Sequence, residues 1–256
     1  MPQPSQLAAQ LYTLRDFTKT PADIAATLKR VKQMGYEAVQ CSGMGDIDPK
    51  ELATILRGEG LTCCATHVSI ERMKNETQAV IDEHQLWNCD YTAIGGFFPK
   101  SPTAADWHGF AREYSDVAAR FNSSGLAVGY HNHSHELARF DGGKTALQIL
   151  LDELDHSIWW EIDTYWIAHG GADPIQWIRK VSGRIPCIHL KDMAITPERQ
   201  QLMAEVGEGN LNWPGILEAC SETGVKWYIV EQDTCQRDPF ESLRMSLDNL
   251  QEMGLR

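Results

Sequence analysis

A (β/α)8 barrel, formed by residues 1–256 as a single domain, is the fold that the sequence predicts. Short apolar runs without strict alternation recur along the chain, as strands buried on both faces of a parallel sheet do. Helical patterns with marked beginnings and ends separate these runs, which is typical of an alternating β/α fold. No linker or low-complexity segment divides the chain, and 256 residues fit one such barrel.

Eight runs are predicted as the strands of the barrel. They lie at residues 7–12, 38–41, 61–67, 91–95, 126–131, 158–163, 185–190 and 227–231. Most are bounded by Gly, Pro or charged residues, which commonly end strands. A doubly wound open sheet is the competing arrangement. It would normally place a Gly-rich phosphate-binding turn after the first strand, and residues 12–16 do not form such a pattern.

Eight helices between the strands are predicted from apolar stripes and capping residues. Ile24, Leu28 and Val31 fall on one helical face, and later stripes keep the same spacing. A Thr or Asp directly before Pro marks four helix starts, because the side chain caps a backbone N–H and proline tolerates the first helical position. These pairs are Thr20-Pro21, Asp48-Pro49, Asp173-Pro174 and Asp238-Pro239. Glycines such as Gly35 and Gly60 follow helical stretches, where a left-handed residue often ends the helix.

Composition narrows the class of protein. A formal net charge of -12 makes the chain a poor candidate for binding nucleic acid. The longest apolar runs are too short to span a membrane, and residues 1–6 lack the basic and apolar regions of a signal peptide. The seven cysteines include no Cys-x-x-Cys pair, as expected of buried thiols in a reducing compartment. We therefore expect a cytoplasmic protein that binds a small molecule, as a monomer or a homo-oligomer.

Metal-ligand side chains stand at the ends of three predicted strands. Asp163 ends the sixth strand, His189 lies near the end of the seventh and Glu231 ends the eighth. In a barrel of this kind the active site forms at the carboxyl ends of the strands. Two carboxylates and an imidazole converging there suit a divalent cation such as manganese, magnesium, cobalt or zinc.

The stretch after the fifth strand carries further candidates. His131 and His133 alternate along the chain and share a face if the strand continues, and Glu136 follows in the loop. A neutral imidazole is a common metal ligand and a ready acid or base near pH 7. His131 lies at the depth of Asp163, so we expect it to contact the metal, with His133 and Glu136 facing the substrate.

With these residues identified, the chain resembles the xylose-isomerase-like barrels of sugar-phosphate isomerases and epimerases. The resemblance covers nearly the whole length and is strongest for the branch of inosose dehydratases and enzymes that act on 3-keto-sugars. Six segments carry it: residues 10–15 (QLYTLR), 130–133 (YHNH), 163–164 (DT), 189–192 (HLKD), 206–213 (VGEGNLNW) and 230–231 (VE).

The resemblance implies a metal set of Glu, Asp, His and Glu from strands five to eight. Asp163, His189 and Glu231 match the last three positions, whereas His131 stands where the first Glu is usual. Either His131 replaces that ligand or Glu136 reaches back from the loop. In the epimerases of the superfamily the first and last Glu exchange the proton. A His131 ligand puts this exchange in doubt and favours a lyase or dehydratase with one imidazole base.

Other polar and aromatic residues are assigned to the substrate. We predict that His133, Glu136, Glu231 and Lys191 are catalytic, the lysine by donating to a substrate oxygen, although a surface position for Lys191 is equally compatible with the sequence. His67, His169, Trp213 and Glu136 are predicted to bind the sugar. Residues 207–209 (GEG) resemble a phosphate-binding turn, since loops after the seventh strand often serve that purpose in barrels.

These residues predict a metal-dependent isomerase or epimerase that abstracts a proton next to a carbonyl of a sugar, sugar phosphate or keto-sugar. The expected cofactor is a divalent cation, with manganese first. A lyase or dehydratase acting on 3-keto-glycosides or inososes is the alternative, and a sugar-binding barrel without chemistry is the second. An endonuclease on the same barrel would need a basic face, which the acidic composition disfavours.

Overall fold

A closed barrel of eight parallel strands forms the centre of the protein in a computed structural model that describes residues 6–140 and 142–255. The described residues form ten strands, and eight of them belong to the barrel. The ten are β1 (Leu7–Gln10), β2 (Ala38–Cys41), β3 (Thr62–His67), β4 (Tyr91–Ile94), β5 (Ala127–His131), β6 (Trp159–Asp163), β7 (Cys187–Leu190), β8 (Asp192–Ile195), β9 (Gln201–Ala204) and β10 (Trp227–Val230). β8 and β9 form a separate antiparallel hairpin, and β10 pairs with β1 to close the barrel. The predicted fold class is confirmed. Residues 1–5, which carry most of the segment used to exclude a signal peptide, lie outside the described ranges.

The helices surround this barrel. They are α1 (Pro21–Met34), α2 (Pro49–Glu59), α3 (Ile70–Asn75), α4 (Thr77–Trp87), α5 (Ala104–Ala119), α6 (Ala146–Glu153), α7 (Thr164–His169), α8 (Pro174–Lys180), α9 (Trp213–Thr223) and α10 (Pro239–Glu252). Two short 3-10 helices cover Leu11–Phe17 and His135–Leu137. Among the described residues, no helix has both the length and the apolar character needed to cross a membrane.

The predicted helix starts are confirmed by their caps. The side chains of Thr20, Asp48, Asp173 and Asp238 each accept a hydrogen bond from a backbone N–H of the first turn, with proline following directly. At the other end of α2, Gly60 adopts a left-handed conformation with φ of 64° and donates to two of the last helical carbonyls.

Two predictions about the elements are wrong, and one element was missed. The first strand ends at Gln10 rather than at residue 12, because the chain turns at once into the 3-10 helix. The number of α-helices in the described part of the chain is ten rather than eight, since two helices follow both β3 and β6. The β8–β9 hairpin after the seventh barrel strand was not predicted at all.

The interior of the barrel changes from apolar to polar along its axis. A small cluster with Ala8, Ala38, Trp159 and Cys187 fills one level. Trp159 needs Gly129 beside it, because a Cβ there would lie 2.3 Å from the indole ring. Two residues further along the same strands, the inward side chains are polar, since alternate residues share a face. They are Gln10, Gln40, His131, Glu161 and His189, and all five are buried.

The cysteines belong to the structural core. Six of the seven are buried, and all are free thiols. Burial raises the pKa of Cys64 and Cys187 well above its ordinary value, so these thiols stay protonated. They behave as small apolar residues, as the sequence predicts.

Candidate metal centre

Four side chains converge at the carboxyl end of the barrel. They come from neighbouring strands: His131 ends β5, Asp163 ends β6, His189 lies in β7 and Glu231 directly follows β10. Each offers one ligand atom, and these atoms all lie within 4.8 Å of one another. All four residues are buried. The structure thus brings together the four residues that the sequence singles out as metal ligands.

The distances within this cluster are short enough for one shared cation. His189 Nδ1 lies 2.9 Å from Glu231 Oε2 and 3.8 Å from Asp163 Oδ2. His131 Nε2 lies 3.4 Å from the same Asp163 oxygen, and its Nδ1 has no hydrogen-bond partner. Two carboxylate oxygens and two imidazole nitrogens form a donor set that suits a divalent transition metal.

A glutamine fixes the orientation of the His189 ring. Gln40 Oε1 accepts a hydrogen bond from Gln10 Nε2 at 2.7 Å and lies 2.6 Å from His189 Nε2. Because this oxygen is an acceptor, Nε2 carries a proton, and Nδ1 is the ring nitrogen that faces Asp163 and Glu231. Partners of this kind orient metal-binding histidines in many proteins.

The carboxylates around His189 favour a second proton on its ring when no cation is bound. Burial lowers its pKa, but the carboxylates of Glu161 and Glu231 outweigh burial and raise the pKa of His189 to about 10. A cation that binds Nδ1 must therefore displace a proton, and the two carboxylates already supply the negative charge that favours positive charge at this point.

Lys191 is buried beside the cluster and is not a surface residue. Its Nζ lies 2.9 Å from Asp163 Oδ2, 2.7 Å from Glu231 Oε2 and 2.6 Å from Asp233 Oδ2. Burial opposes the charge on Lys191, but these three carboxylates raise its pKa well above the ordinary value. The contact with Asp233 is a hydrogen bond, and those with Asp163 and Glu231 are ion pairs. This geometry contradicts a surface position for Lys191, whose contacts stabilise the acidic side chains, and donation to a substrate oxygen stays a prediction.

A cavity of about 240 Å³ opens directly onto the cluster. Its walls come from the ends of several strands and the loops that follow them. The lining residues are Tyr12, Ser42, His67, Gly95, Phe98, His131, His133, Glu231 and Asp233. Two of the four candidate ligands, His131 and Glu231, therefore face a space that a small molecule can enter.

Two further imidazoles flank His131 on the cavity wall. The ring centroids of His67 and His133 lie 5.3 Å and 4.8 Å from that of His131. His67 Nε2 lies 2.6 Å from Glu161 Oε2, and His67 Nδ1 lies 3.2 Å from Ser42 Oγ. Burial lowers the pKa of His67 although Glu161 counteracts it. For His133, burial and then the neighbouring His131 lower the pKa to about 2. Both imidazoles are therefore neutral near pH 7.

Glu136 does not reach the cavity. Its Oε1 accepts the hydroxyl hydrogen of Tyr130 at 2.8 Å, and its Oε2 accepts the backbone N–H of His133 at 2.9 Å. Tyr130 alternates with His131 along β5 and packs on Trp160 in the layer outside the barrel. The 3-10 turn after the strand directs Glu136 into this layer. Its predicted roles as catalyst, substrate ligand and alternative metal ligand do not fit this position.

Two of the predicted sugar-binding residues also lie away from the cavity wall. Trp213 is buried at the start of α9, and its Nε1 donates to Asp192 Oδ2 at 2.5 Å. His169 ends α7 and packs against the rings of Tyr165 and Trp166. Neither residue lines the cavity, so of the predicted sugar ligands His67 alone fits the geometry.

The loop that resembles a phosphate-binding turn already holds an internal anion. The backbone N–H groups of Gly207 and Gly209 donate to Asp192 Oδ2 at 2.9 Å and 3.0 Å, and that of Leu211 donates to Asp192 Oδ1 at 3.2 Å. A Cβ at Gly209 would lie 2.4 Å from the same carboxylate, so this position requires glycine. The prediction of a phosphate site is corrected because Asp192 occupies the donors.

Sequence reasoning missed several residues around the site. Asp233 and Glu161 stand two residues from the predicted ligands Glu231 and Asp163, so alternation along the strands was a signal for both. Gln40 is the last residue but one of β2, and its inward position follows from the same alternation. Phe98 gave no such signal, because its place on the cavity wall depends on how the loop after β4 folds back.

Comparison with known proteins gives the family. The model of the family described as "Xylose isomerase-like TIM barrel" matches residues 28–253. A Rhizobium meliloti protein, "Rhizopine catabolism protein MocC", is 25% identical over 166 residues, which are 58% of this chain and 50% of that protein. The chain thus spans about half the length of this curated relative.

Solved structures show the same fold. A sugar phosphate isomerase/epimerase from Parabacteroides distasonis superposes with a TM-score of 0.84 at 22% identity, over 98% of this chain and 94% of that one. An L-ribulose 3-epimerase gives a TM-score of 0.73 at 14% identity, over 97% of this chain and 94% of that one. At these identities the likeness is one of fold. On the family match over most of its length, the chain belongs to the xylose isomerase-like TIM barrel family.

Proposed function

We propose that the protein is a metal-dependent isomerase or epimerase that moves a proton next to the carbonyl of a sugar or keto-sugar. One observation carries the proposal: a four-residue donor set reaches a cavity at the carboxyl end of the barrel through His131 and Glu231, and two further imidazoles line the same cavity. Metal ligands, proton-transfer groups and an entrance for a small molecule are the parts that this chemistry needs.

His131, Asp163, His189 and Glu231 are the residues that would hold the cation, with manganese as the metal we propose first. A divalent cation bound there would act as a Lewis acid, polarising a carbonyl and stabilising negative charge that develops on its oxygen. Lys191 keeps two of the four side chains in place through its contacts with Asp163 and Glu231.

The proton is assigned to the imidazoles on the cavity wall. His133 is neutral and lines the cavity, and its Nδ1 is buried without a hydrogen-bond partner, so Nε2 is the nitrogen that we assign to accept a proton from a bound substrate. His67 is the second candidate, because Glu161 at 2.6 Å supports positive charge on its ring. Two imidazoles on either side of His131 allow one group to remove a proton and another to deliver one.

A lyase or dehydratase is the second candidate reaction. The observation that favours it is the identity of the ligand from the fifth strand, which is a histidine rather than a glutamate. His131 occupies the cluster and Glu136 is hydrogen-bonded to Tyr130, so the cluster contains one glutamate rather than two. Proton exchange between a pair of glutamates is then not available. An elimination in which an imidazole removes the proton remains compatible with the site.

Deuterium exchange tests the proposal. The manganese-loaded protein is incubated in D2O with ketoses, inososes and 3-keto-glycosides, and each is analysed by NMR and mass spectrometry. We expect deuterium at the carbon next to the carbonyl of at least one compound, and loss of exchange in Glu231→Gln with the fold intact. Release of water or an aglycone would identify the lyase reaction. Absence of both across the panel, with the metal site filled, would refute the proposed chemistry.

A further inference from the structure

We infer that the substrate of this cavity is an uncharged monosaccharide-sized sugar whose ring lies against Phe98, and that the phosphate esters of such sugars are rejected. The inference rests on the proposed function and specifies its substrate class. It depends on three features: the charges around the cavity, the acceptors of the protein that already bond to the nearby N–H donors, and one exposed aromatic ring.

The cavity has an acidic wall. Glu231 and Asp233 line it, and Asp163 lies directly behind through the shared contact with Lys191. With Glu161 behind His67, four carboxylates and one ammonium group leave a formal charge of about minus three, which one divalent cation does not fully balance. A phosphate dianion would then enter without a balancing charge and close to carboxylates, which costs energy in a partly buried site.

The loop amides that resemble a phosphate-binding turn, and two of the five N–H groups of Arg15, are already bonded to groups of the protein. The backbone N–H groups of Gly207 and Gly209 donate to the carboxylate of Asp192, as described above. The guanidinium of Arg15, beside the cavity, donates to the backbone carbonyls of Tyr12 at 2.9 Å and Asp233 at 2.8 Å. A phosphate group would have to displace these internal acceptors.

Phe98 supplies an apolar surface on the cavity wall. Its side chain is 63% exposed, although large apolar side chains are usually covered. The ring lies 4.9 Å from that of His133 and 5.1 Å from that of His135, measured between centroids. A Cβ at Gly96 would lie 2.9 Å from the Phe98 ring, and Gly96 has φ of 123°, so glycine is required for this placement.

An apolar ring and polar acceptors in one cavity form an arrangement that recognises an uncharged sugar. The C–H face of a sugar can cover the exposed ring, while its hydroxyls donate to carboxylates such as that of Asp233. The volume of about 240 Å³ is below the range of about 300–1,000 Å³ for drug-sized ligands. A monosaccharide fits this size better than a disaccharide.

Paired ligands test the inference. D-fructose, D-ribulose and D-xylulose are each compared with their terminal phosphate ester, and with inorganic phosphate, by calorimetry on the manganese-loaded protein. We expect at least one free sugar to bind more than about tenfold tighter than its ester. Phe98→Ala should weaken that binding about tenfold. Phe17→Ala is the control and should leave binding unchanged, because Phe17 is an exposed ring that packs on Phe240 and does not line the cavity.

Several results would overturn the inference. They are an ester or inorganic phosphate that binds as tightly as the free sugar, no binding of any free sugar, and unchanged binding in Phe98→Ala. Asp233→Asn keeps an acceptor for Lys191 but removes one charge, so it should reduce the preference for the free sugar; an unchanged preference would contradict the acidic wall. Binding of free sugars without deuterium exchange would instead refute the proposed function and leave the substrate class intact.

Discussion

Gln40 Oε1 lies 2.6 Å from His189 Nε2, and the opposite ring nitrogen, Nδ1, lies 2.9 Å from Glu231 in the metal cluster. The glutamine is buried and is itself held by Gln10. Gln40 lies in β2, which contributes no ligand, and it determines which nitrogen of His189 faces the cation.

The first prediction concerns this contact. Gln40→Met removes the acceptor, so the His189 ring loses its fixed orientation and manganese affinity should fall about 10–100-fold. Ser42→Ala is the control, because Ser42 lies just beyond the same strand but contacts His67 instead. Titration calorimetry with manganese measures both variants. Equal affinity in Gln40→Met and the wild type would show that the glutamine does not orient the ligand.

The second prediction concerns the buried ammonium. Lys191→Met leaves Asp163, Glu231 and Asp233 without their common partner, so the metal-free protein should lose about 3–5 kcal/mol in its free energy of unfolding. Manganese can replace part of the missing charge and should stabilise the variant more than it stabilises the wild type. Lys180→Met, a change at an exposed lysine, is the control. Denaturant unfolding with and without manganese measures the free energy of unfolding of both proteins. If manganese stabilised the variant and the wild type by the same amount, the charge argument would be contradicted.

The third prediction is a pH dependence of stability. In the unfolded chain a histidine binds a proton below its ordinary pKa of about 6.5. Folded His133 stays neutral because burial and His131 lower its pKa to about 2. Between these values the unfolded state binds more protons, so stability falls as the pH drops below about 6.5.

His133→Gln removes this contribution. From about pH 6.5 to about pH 5.5 the wild type should lose more free energy of unfolding than the variant, by about 1 kcal/mol. The limit is about 1.4 kcal/mol for one group over one pH unit, and partial exposure of His133 reduces it. Urea titrations in the presence of a chelator measure the difference. Parallel losses in the two proteins would show that His133 is not held neutral in the folded protein.

The strands and the ligand positions were predictable because they depend on local pattern and on one rule of the fold. Asp163, His189 and Glu231 each follow an apolar run, and a barrel brings strand ends to one face. Alternation along β5 then adds His131 to the same face. These inferences need no knowledge of which distant segments touch.

Other positions depend on contacts that the sequence does not display. Glu136 follows the histidines closely, but a single 3-10 turn directs it to Tyr130 on the outside of the barrel. Trp213 is bonded to Asp192, which the unpredicted β8–β9 hairpin places beside it. The pair Asp173-Pro174 marks the start of α8, whereas α7 follows Asp163 without a proline, so no such pair signals this extra helix.

Metal content tests the central claim most directly. His131→Ala, His133→Ala and Glu136→Gln are purified, loaded with manganese, dialysed and analysed for bound metal beside the wild type. His131 belongs to the cluster and Glu136 does not, so we expect His131→Ala to lose its manganese while Glu136→Gln and His133→Ala retain it. Loss of metal from Glu136→Gln with retention in His131→Ala would contradict this account and restore a site with two glutamates.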